Sequence, residues 1–334
     1  MHNAFVVGYY GFGNLGDELL KSATIRILRE AHFEKIYLTL PSKFSKLNLQ
    51  SNYSDSVSRF DPVDVFSAIL NSKIIVAGGG GIFQDETSTR SFLYYWSVLY
   101  AAVMFKRRVM LLGNSFGPVS KRFCKMLLKH LLSSPRVISI PRDSVSERYC
   151  RIIGAKVVSG TDLAILELMG RDLQTQIKPQ VSLILREKID ISEALSVLSE
   201  QNIDTVKIVP LSLEDEQVAS KMASTLSRNF NVSVEYDDPI ATIARSSLVI
   251  SQRFHGCLIA SFYGIPFVSV HSTKTERFMK RYLPSYQGYS DKNPAEIALR
   301  AYKILGSEIQ IREKLIADAL QMKDNVMKIL NSKL

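Results

Sequence analysis

Asn3-Ala-Phe-Val-Val7 leads directly into Gly8-Tyr-Tyr-Gly-Phe-Gly-Asn-Leu-Gly-Asp-Glu18. The first stretch is almost continuously apolar, which is typical of a parallel strand buried on both faces. The second stretch places glycines and polar residues where the strand would end, and residues 17–32 then follow a helical pattern. A strand, a glycine-rich turn and a helix in this order predict the start of a doubly wound sheet.

The same alternation of strand and helix patterns continues along the chain. In the first half, strands are predicted at 35–40, 73–77, 108–112 and 136–140, with helices at 61–71, 90–106, 119–133 and 143–153. In the second half, strands are predicted at 181–185, 205–209, 232–235, 248–250 and 267–270, with helices at 190–201, 213–229, 238–245, 254–263 and 273–282. We therefore expect an α/β protein of two doubly wound halves that face each other across a cleft.

The domain boundary is predicted from a polar stretch. Residues 169–179 end in Pro179 and read as a linker. This predicts an N-terminal domain at 1–168 and a C-terminal domain at 180–334, which includes terminal helices within 292–333.

Charge and composition limit the classes of partner and the compartment. The 334-residue chain has 42 Lys and Arg against 32 Asp and Glu, so its formal net charge is +10. This excess indicates an anionic partner such as a phosphorylated metabolite, an acidic glycan, a membrane surface or nucleic acid. Nucleic acid is not expected, because the basic residues are dispersed and no known binding motif occurs. Three cysteines without a CxxC pair fit a reducing cytosol and argue against structural zinc.

Neither a membrane span nor a signal peptide is expected from the sequence. No stretch reaches the ~18 apolar residues of a transmembrane helix. The apolar run after Met1-His-Asn3 reads as the first core strand.

Polar residues cluster just after the predicted strands, at the edge of a parallel sheet where ligands bind. The segments concerned are 8–18, 78–85, 113–118, Arg142-Asp143, Arg186, Pro210 and Arg253 with His255. So many polar signals at one kind of position predict a functional site at the carboxyl ends of the strands.

Gly11, Gly13 and Gly16 match the G-x-G-x-x-G fingerprint of dinucleotide-binding proteins. Two features argue against a nicotinamide cofactor. The second strand ends in Leu40-Pro41-Ser42, without the acid that would bind a ribose, and Asp17 and Glu18 would repel a pyrophosphate. NADP stays open, because Ser42-Lys43 could meet a 2′-phosphate. The alternative is a tight turn in which Asp17 caps the helix.

Gly78 to Gly81 permit close approach of the backbone to a ligand, and their amides can form an anion-binding nest. The alternative is a flexible turn.

Lys121, Lys125 and Lys129 form a basic stripe that reads either as a solvated helix face or as a membrane contact. Lys274, after the strand at 267–270, is close enough to that strand end to reach a site there.

Ser251-Gln-Arg-Phe-His-Gly256 lies where a strand leads into a helix. Arg is always charged and can hold an anion, and His titrates near neutral pH and can transfer a proton. The alternative is an Arg salt bridge beside a capping or core His.

Taken together, these motifs resemble the polysaccharide pyruvyl transferase family. The matching segments are Gly8 with Gly13–Glu18, Gly78–Gly81, Gly113–Pro118, Arg142-Asp143, Gly160–Ala164, Ser251–His255 and Lys274. They appear in family order over about residues 5–280, and the bacterial CsaB type, which acts on secondary cell-wall polysaccharide, is the most similar. The chain has Phe254 where Leu is usual, Asn114-Ser115 where Gln and a small residue are common, and Arg186-Glu187 where Arg-Pro is common. These departures bear on the acceptor more than on the chemistry.

The resemblance implies a GT-B-like fold of two Rossmann-like domains. It implies that pyruvate moves from phosphoenolpyruvate onto two hydroxyls of one sugar, forming a cyclic ketal and releasing phosphate. The sugar would belong to a cell-surface polysaccharide or its lipid-linked precursor, and the enzyme would be cytoplasmic, at the inner face of the membrane when the acceptor is lipid-linked. The family's functional positions correspond to Arg142, Arg253 and His255. No cofactor or metal is expected, because phosphoenolpyruvate is a substrate.

The donor carries a carboxylate and a phosphate, so fixed cations must meet it. Arg142, Arg253 and Lys274 are our candidates, with His255 as the acid that protonates the donor's methylene carbon. The other predicted substrate-binding residues are Arg186, Asn14, Asp17, Gly78, Gly79, Gly80, Gly81 and Asp85, of which Asp17 or Asp85 could deprotonate or orient the sugar hydroxyl.

Two other functions fit the same sequence. One is a GT-B glycosyltransferase that uses a nucleotide sugar, and the other is a non-catalytic binder of anionic glycan. The sequence leaves open the acceptor sugar, the pair of hydroxyls and the general base. It also leaves open the oligomeric state, and a homo-oligomer is one possibility.

Overall fold

The structure, a computed structural model, describes residues 2–41, 55–171, 173 and 176–332. Contacts divide the chain into two compact units. The first unit takes the described residues of 1–12, 16–167 and 316–334, and the second takes those of 13–15 and 168–315. Within the described ranges, no helix is long and apolar enough to cross a membrane.

A parallel six-stranded sheet forms the centre of the first unit. Its strands are β1 (Asn3–Val7), β2 (Lys35–Leu40), β3 (Asp55–Ser58), β4 (Ile74–Phe83), β5 (Arg108–Phe116) and β6 (Val137–Ile140). They lie in the order β3-β2-β1-β4-β5-β6, that of a dinucleotide-binding doubly wound sheet. The helices are α1 (Leu15–Glu30), α2 (Pro62–Asn71), α3 (Thr89–Met104), α4 (Arg122–Leu132), α5 (Ser144–Ile152) and α6 (Ala164–Met169).

The first core forms because the apolar strands are covered by helices. All five residues of β1 are buried. Phe5 and Val7 pack in one cluster with buried residues of α2, α3 and α4, such as Ile69, Leu99 and Leu128. Continuous apolar runs therefore gave the correct strands, as expected for a parallel sheet buried on both faces.

The second unit repeats the plan with the sheet order β12-β11-β10-β7-β8-β9. Its strands are β7 (Lys178–Ile184), β8 (Thr205–Ile208), β9 (Asn231–Val234), β10 (Ser246–Ser251), β11 (Phe267–Val270) and β12 (Tyr289–Ser290). Its helices are α7 (Ser192–Ser199), α8 (Glu216–Leu226), α9 (Pro239–Ala244), α10 (Phe254–Phe262), α11 (Thr273–Tyr282) and α12 (Pro294–Ile304), followed by α13 (Arg312–Asn331). The prediction of two Rossmann-like, doubly wound halves is confirmed.

The helix α13 begins in the second unit, and from Ile316 onward its residues belong to the first unit. Its buried residues Ala319, Met322, Val326 and Leu330 recur at helical spacing and form one apolar face. In the first unit, Lys323 pairs with Glu30 at 2.6 Å and Arg108 Nη2 donates to the Ile329 carbonyl at 2.8 Å. An apolar stripe with polar contacts on its flanks thus fixes the end of the chain on the first unit.

Two central strands are longer than the sequence pattern indicated. β4 continues from the predicted 73–77 through all four glycines to Phe83, and β5 continues from 108–112 to Phe116. The predicted strand end at Ala77 is therefore wrong, as is the alternative of a flexible turn at Gly78–Gly81, because this backbone pairs with β5 through Gly78 and Gly80. The short edge strands β3 and β12 were not predicted.

Candidate active site

Glycine is required in β4 because α1 packs directly against it. A Cβ atom on Gly78 would lie 2.4 Å from Thr24 Oγ1, and one on Gly79 would lie 2.9 Å from Leu20. Gly79 and Gly80 also have positive φ angles of 84° and 81°. Any side chain on Gly78 or Gly79 would thus collide with α1, and side chains rarely adopt the φ values of Gly79 and Gly80.

Asp17 stands beside this glycine strand. It lies in the first turn of α1, and its Oδ1 is 3.6 Å from the position of a Cβ on Gly80. The edge of the first sheet therefore carries a half-buried carboxylate next to a backbone without side chains.

Arg142 is buried at the carboxyl end of β6 and is held by two side chains. Its Nε donates to Ser115 Oγ at 2.7 Å, and its Nη1 donates to Asp162 Oδ2 at 2.6 Å. Asp162 is itself fixed, since its Oδ1 accepts the Ala164 amide at 2.9 Å. A buried guanidinium needs such a partner, because an unpaired charge inside a protein is costly.

Asn114 joins Arg142 to the glycine strand. Its Nδ2 donates to the Gly79 carbonyl at 2.7 Å, and its own carbonyl accepts the Arg142 amide at 3.2 Å. Asn114 is fully buried, and its Oδ1 has no hydrogen-bond partner among the described residues. The structure thus brings Asp17, the β4 glycines and Arg142 to one edge of the first unit.

Asp85 binds the segment that precedes α4, and Asp143 caps α5. Asp85 Oδ1 accepts from Ser120 N and Oγ, at 2.7 and 3.0 Å, and its Oδ2 accepts from Lys121 N at 2.8 Å. Burial raises the pKa of Asp85, but these hydrogen bonds outweigh it, so the pKa is lowered overall. Asp143 caps α5 by accepting the Ser146 amide at 2.8 Å. Asp85 and Asp143 therefore stabilise the fold near the candidate site.

In the second unit, Arg253 immediately precedes α10, and Asp215 binds its guanidinium. Arg253 Nε donates to Asp215 Oδ2 at 3.1 Å, and Nη2 donates to Oδ1, so the pair is bidentate. Asp215 Oδ2 also accepts the Leu211 amide at 3.2 Å. The Arg253 side chain is 15% exposed and that of Asp215 is 1% exposed. The guanidinium therefore has a fixed position with one side toward solvent.

His255 lies in the first turn of α10, two residues after Arg253. Its Nε2 is buried, and its ring centroid is 5.1 Å from that of Phe254, which packs edge-on against Phe278. Gly256 allows this helix start to approach the sheet, because a Cβ there would lie 2.5 Å from Ile184. The imidazole thus packs against an aromatic ring at the amino terminus of a helix. The helix dipole there favours a negative charge nearby.

Gln252 connects this helix start to Arg186. Its Oε1 accepts the Arg186 amide at 2.8 Å and the Glu187 amide at 3.2 Å, which fixes the turn after β7. The Arg186 side chain itself is exposed. Lys274 is exposed in the first turn of α11, and the half-buried Asn14 is grouped with this unit. Arg253, His255 and Arg186 therefore share one edge of the second sheet.

Two acidic partners were not given a role by the sequence. Asp162 lies in the quoted segment Gly160–Ala164, and Asp215 follows the carboxyl end of β8 in Ser212-Leu-Glu-Asp215. For Asp215 the available signal was its position after a predicted strand, and for Asp162 it was the family-like segment around it. Their pairing with Arg142 and Arg253 was not readable, because it depends on tertiary contacts 20 and 38 residues apart.

The glycine-rich turn after β1 uses its amides within the fold. The Gly11 amide donates to Glu18 Oε1 at 2.8 Å, so the helix acid occupies a donor that a dinucleotide phosphate would need. Ser42 and Lys43 lie outside the described residues. In the described ranges, no group of three or more His, Cys, Asp or Glu side chains is placed to hold a metal ion.

Comparison with known proteins gives one family and one fold. The chain matches the family model described as polysaccharide pyruvyl transferase over residues 14–272. No curated protein sequence matches it. Among solved structures, the UDP-N-acetylglucosamine 2-epimerase of Rickettsia bellii has a TM-score of 0.65 at 10% identity, covering 100% of this chain and 99% of that one.

Two further epimerase structures are similar. The UDP-GlcNAc 2-epimerase of Methanocaldococcus jannaschii has a TM-score of 0.63 at 12% identity and covers 99% of this chain and 100% of that one. The enzyme of Neisseria meningitidis, bound to UDP-GlcNAc, has a TM-score of 0.60 at 14% identity, with coverages of 96% and 100%. At these identities the likeness concerns the fold alone, and it confirms the predicted GT-B-like class.

Proposed function

The chain belongs to the polysaccharide pyruvyl transferase family, and from this we propose that it moves pyruvate from phosphoenolpyruvate onto two hydroxyls of one sugar. The product is a cyclic ketal, and inorganic phosphate is released. The sugar belongs to a cell-surface polysaccharide, such as an exopolysaccharide or cell-wall polymer, or to its lipid-linked precursor. The observation that carries the proposal is the match over residues 14–272, which includes Arg142, Arg253 and His255.

Donor binding requires fixed positive charge. Arg142 and Arg253 are each anchored by a buried carboxylate, so their positions need no reorganisation when the donor arrives. Each pair is formally neutral, which leaves part of the donor's charge to other groups. Arg186 and Lys274 are exposed and supply that charge in the second unit. We assign the four residues to binding the carboxylate and phosphate of phosphoenolpyruvate.

Proton transfer to the donor's methylene carbon is the step that we assign to His255. The proton adds to the carbon–carbon double bond, the methylene becomes a methyl group, and the neighbouring carbon becomes cationic. One sugar hydroxyl attacks that carbon, and attack by the second hydroxyl displaces phosphate. His255 lies in the first turn of α10 against the apolar ring of Phe254, which keeps the imidazole oriented and partly shielded from water.

A base must take the protons of the two hydroxyls, and we assign this role to Asp17 rather than Asp85. Both oxygens of Asp85 already accept hydrogen bonds from the start of α4. Asp17 instead lies beside Gly80, where the strand has no side chains to obstruct a sugar. The β4 glycines and Asn14 are assigned to the substrate in the same proposal.

The test is phosphate release from phosphoenolpyruvate in the presence of a glycan acceptor. Loss of a general acid slows a reaction by ~10² to 10⁴-fold, so the kcat of His255→Gln should fall by a factor within that range. Arg253→Lys keeps the charge but loses the fork, and should mainly raise the KM for phosphoenolpyruvate. Near wild-type turnover in His255→Gln would refute the acid role. Activity that survives EDTA is expected, since no step uses a metal.

A nucleotide-sugar reaction is the second candidate, because the similar solved structures are UDP-N-acetylglucosamine 2-epimerases. The two functions separate when the protein is incubated with either phosphoenolpyruvate or a UDP-sugar. Phosphate release only with phosphoenolpyruvate supports pyruvyl transfer, and UDP release supports the alternative. Saturable glycan binding without turnover of either donor would indicate a non-catalytic binder.

We further propose a cytoplasmic enzyme that works at the inner face of the membrane when its acceptor is lipid-linked. The support is the basic stripe Lys121, Lys125 and Lys129, whose residues are all exposed, at the start and along the length of α4, a helix that also exposes Phe123 and Met126. A helix that exposes both cations and apolar side chains suits an anionic lipid surface. Sedimentation with anionic but not neutral vesicles would test this placement.

A further inference from the structure

Arg59 is a buried cation that directly follows β3 in the first unit. It is only 8% exposed, and its amide donates to the Leu40 carbonyl at 3.1 Å, which fixes the backbone at the carboxyl edge of the sheet. Arg142 and Arg253 each have a buried carboxylate partner, but no described carboxylate pairs with Arg59. The neighbouring sequence 42–54 contains no Asp or Glu that could serve as one.

Five aromatic rings surround the Arg59 guanidinium. Their centroids lie between 4.8 and 5.7 Å from Cζ, and the rings are those of Tyr94, Phe12, Tyr95, Phe60 and Tyr9. Rings at this distance attract a cation through their π faces. We call these five rings and Arg59 the Arg59 cluster.

The rings do not satisfy the hydrogen-bonding capacity of Arg59. Its Nη2 donates to Tyr95 Oη at 3.3 Å, but its buried Nε has no hydrogen-bond partner in the described part of the chain. The two tyrosines cannot supply negative charge, because burial raises the pKa of Tyr94 and that of Tyr95 despite the nearby Arg59. Among the described residues, Arg59 therefore has no carboxylate partner and one unused donor, an arrangement that favours an anion.

The cluster is open on one side. The ring of Phe60 is 70% exposed and that of Tyr9 is 36% exposed, and Tyr9 stacks on Phe12 at 4.1 Å. Tyr9 follows β1, so the open rings lie at the same carboxyl edge of the first sheet as the β4 glycines. Flat apolar surface beside a buried cation suits a ligand that has an apolar face and an anionic group.

We propose that the Arg59 cluster binds an anionic sugar, whose C–H face stacks on the exposed rings and whose carboxylate or phosphate pairs with Arg59. The assignment of this site to the acceptor rests on the proposed function. The binding of an anionic sugar at the Arg59 cluster does not. Phosphoenolpyruvate lacks a ring face, so the cluster is matched to the acceptor and not to the donor. The anion comes either from an acidic sugar in the polysaccharide or from the glycosyl phosphate of a lipid-linked precursor.

Isothermal titration of the full chain without donor tests the site. The probes are methyl glucuronoside, glucose 1-phosphate and uncharged methyl glucoside. Both anionic probes should bind more tightly than methyl glucoside. The tighter of the two identifies the source of the anion.

Variants then locate that binding. Arg59→Gln should weaken the anionic probes by at least about tenfold, since a hydrogen bond to a charged group is lost. Phe60→Ala removes a ring that is 70% exposed and should weaken the binding of these probes by about two- to tenfold. The matched controls Arg148→Gln and Phe66→Ala replace exposed residues of the same types and should bind like wild type.

Wild-type affinity in both Arg59→Gln and Phe60→Ala, with unchanged circular dichroism, would overturn the proposal. Equal binding of charged and uncharged probes would overturn it as well. Failure of the proposed function gives a different result, because phosphate release would be absent while the Arg59-dependent binding persists.

Discussion

Replacing Asp215 by Ala removes the carboxylate that clamps Arg253. The Arg253 side chain is 15% exposed and Asp215 is 1% exposed, so the variant leaves a largely buried guanidinium without its partner. Loss of one member of a buried pair costs about 3–5 kcal/mol. The partial exposure of Arg253 places the expected loss near the lower end, about 3 kcal/mol, to which the lost acceptor of the Leu211 amide adds about 1 kcal/mol.

A total loss of about 4 kcal/mol should lower the melting temperature of the second unit by roughly 8–16 °C, as for a domain of this size. Far-UV circular dichroism during heating measures this shift. The matched control is Glu214→Ala, because Glu214 is the neighbouring acid, 3.9 Å from Arg253 Nη2 and 70% exposed. A pair of that kind contributes at most about 1 kcal/mol.

The reasoning is refuted if Asp215→Ala lowers the melting temperature no more than Glu214→Ala does. A double variant separates stability from function. Asp215→Leu with Arg253→Met replaces the ion pair by apolar side chains and should recover most of the lost stability. It should not recover turnover, because the donor's cation is gone.

Three other changes probe the first unit. Asp162→Asn should lower its stability by about 3–5 kcal/mol, measured as a lower urea midpoint in the fluorescence of Trp96, the single tryptophan; an unchanged midpoint would contradict the buried pair. Gly78→Ala should cost about 1–3 kcal/mol from overpacking, since its Cβ would lie 2.4 Å from Thr24 Oγ1, and a wild-type melting temperature would show that α1 yields. Asp85→Asn should cost about 1 kcal/mol at pH 7, because the amide replaces one of the two carboxylate oxygens that accept hydrogen bonds from Ser120 and Lys121. Because the folded-state pKa of Asp85 is lowered, its stabilisation is present above the unfolded pKa of about 3.9 and is lost as the pH falls through the folded value, so melting curves of the two proteins should converge below about pH 4.

Most of the central strands followed from apolar runs, because a strand covered on both faces needs apolar residues at every position. The β4 glycines were misread for the same reason. Gly78 and Gly79 have no side chain, so the pattern gave no strand signal although the backbone is extended and tightly packed. The edge strand β3, with the sequence Asp55-Ser-Val-Ser58, is too polar to resemble the central strands.

The site was predictable by position but not by pairing. Arg253 and His255 follow a predicted strand, and a parallel sheet places such residues at its ligand-binding edge. That Asp215 holds Arg253 depends on where the turn after β8 meets α10, which spacing does not encode. The Arg59 cluster was missed for a similar reason, since its rings come from three separate segments of the chain.

The transfer reaction itself gives the most direct test of the proposed function. Phosphoenolpyruvate labelled with ¹³C at its second carbon is incubated with the protein and a glycan acceptor, while phosphate release is followed. We expect acceptor-dependent phosphate release and a ¹³C signal from a quaternary carbon bonded to two sugar oxygens, both lost in His255→Gln. Phosphate release that yields free pyruvate without a ketal, or label that stays in phosphoenolpyruvate with every acceptor class while a UDP-sugar is consumed, would contradict pyruvyl transfer.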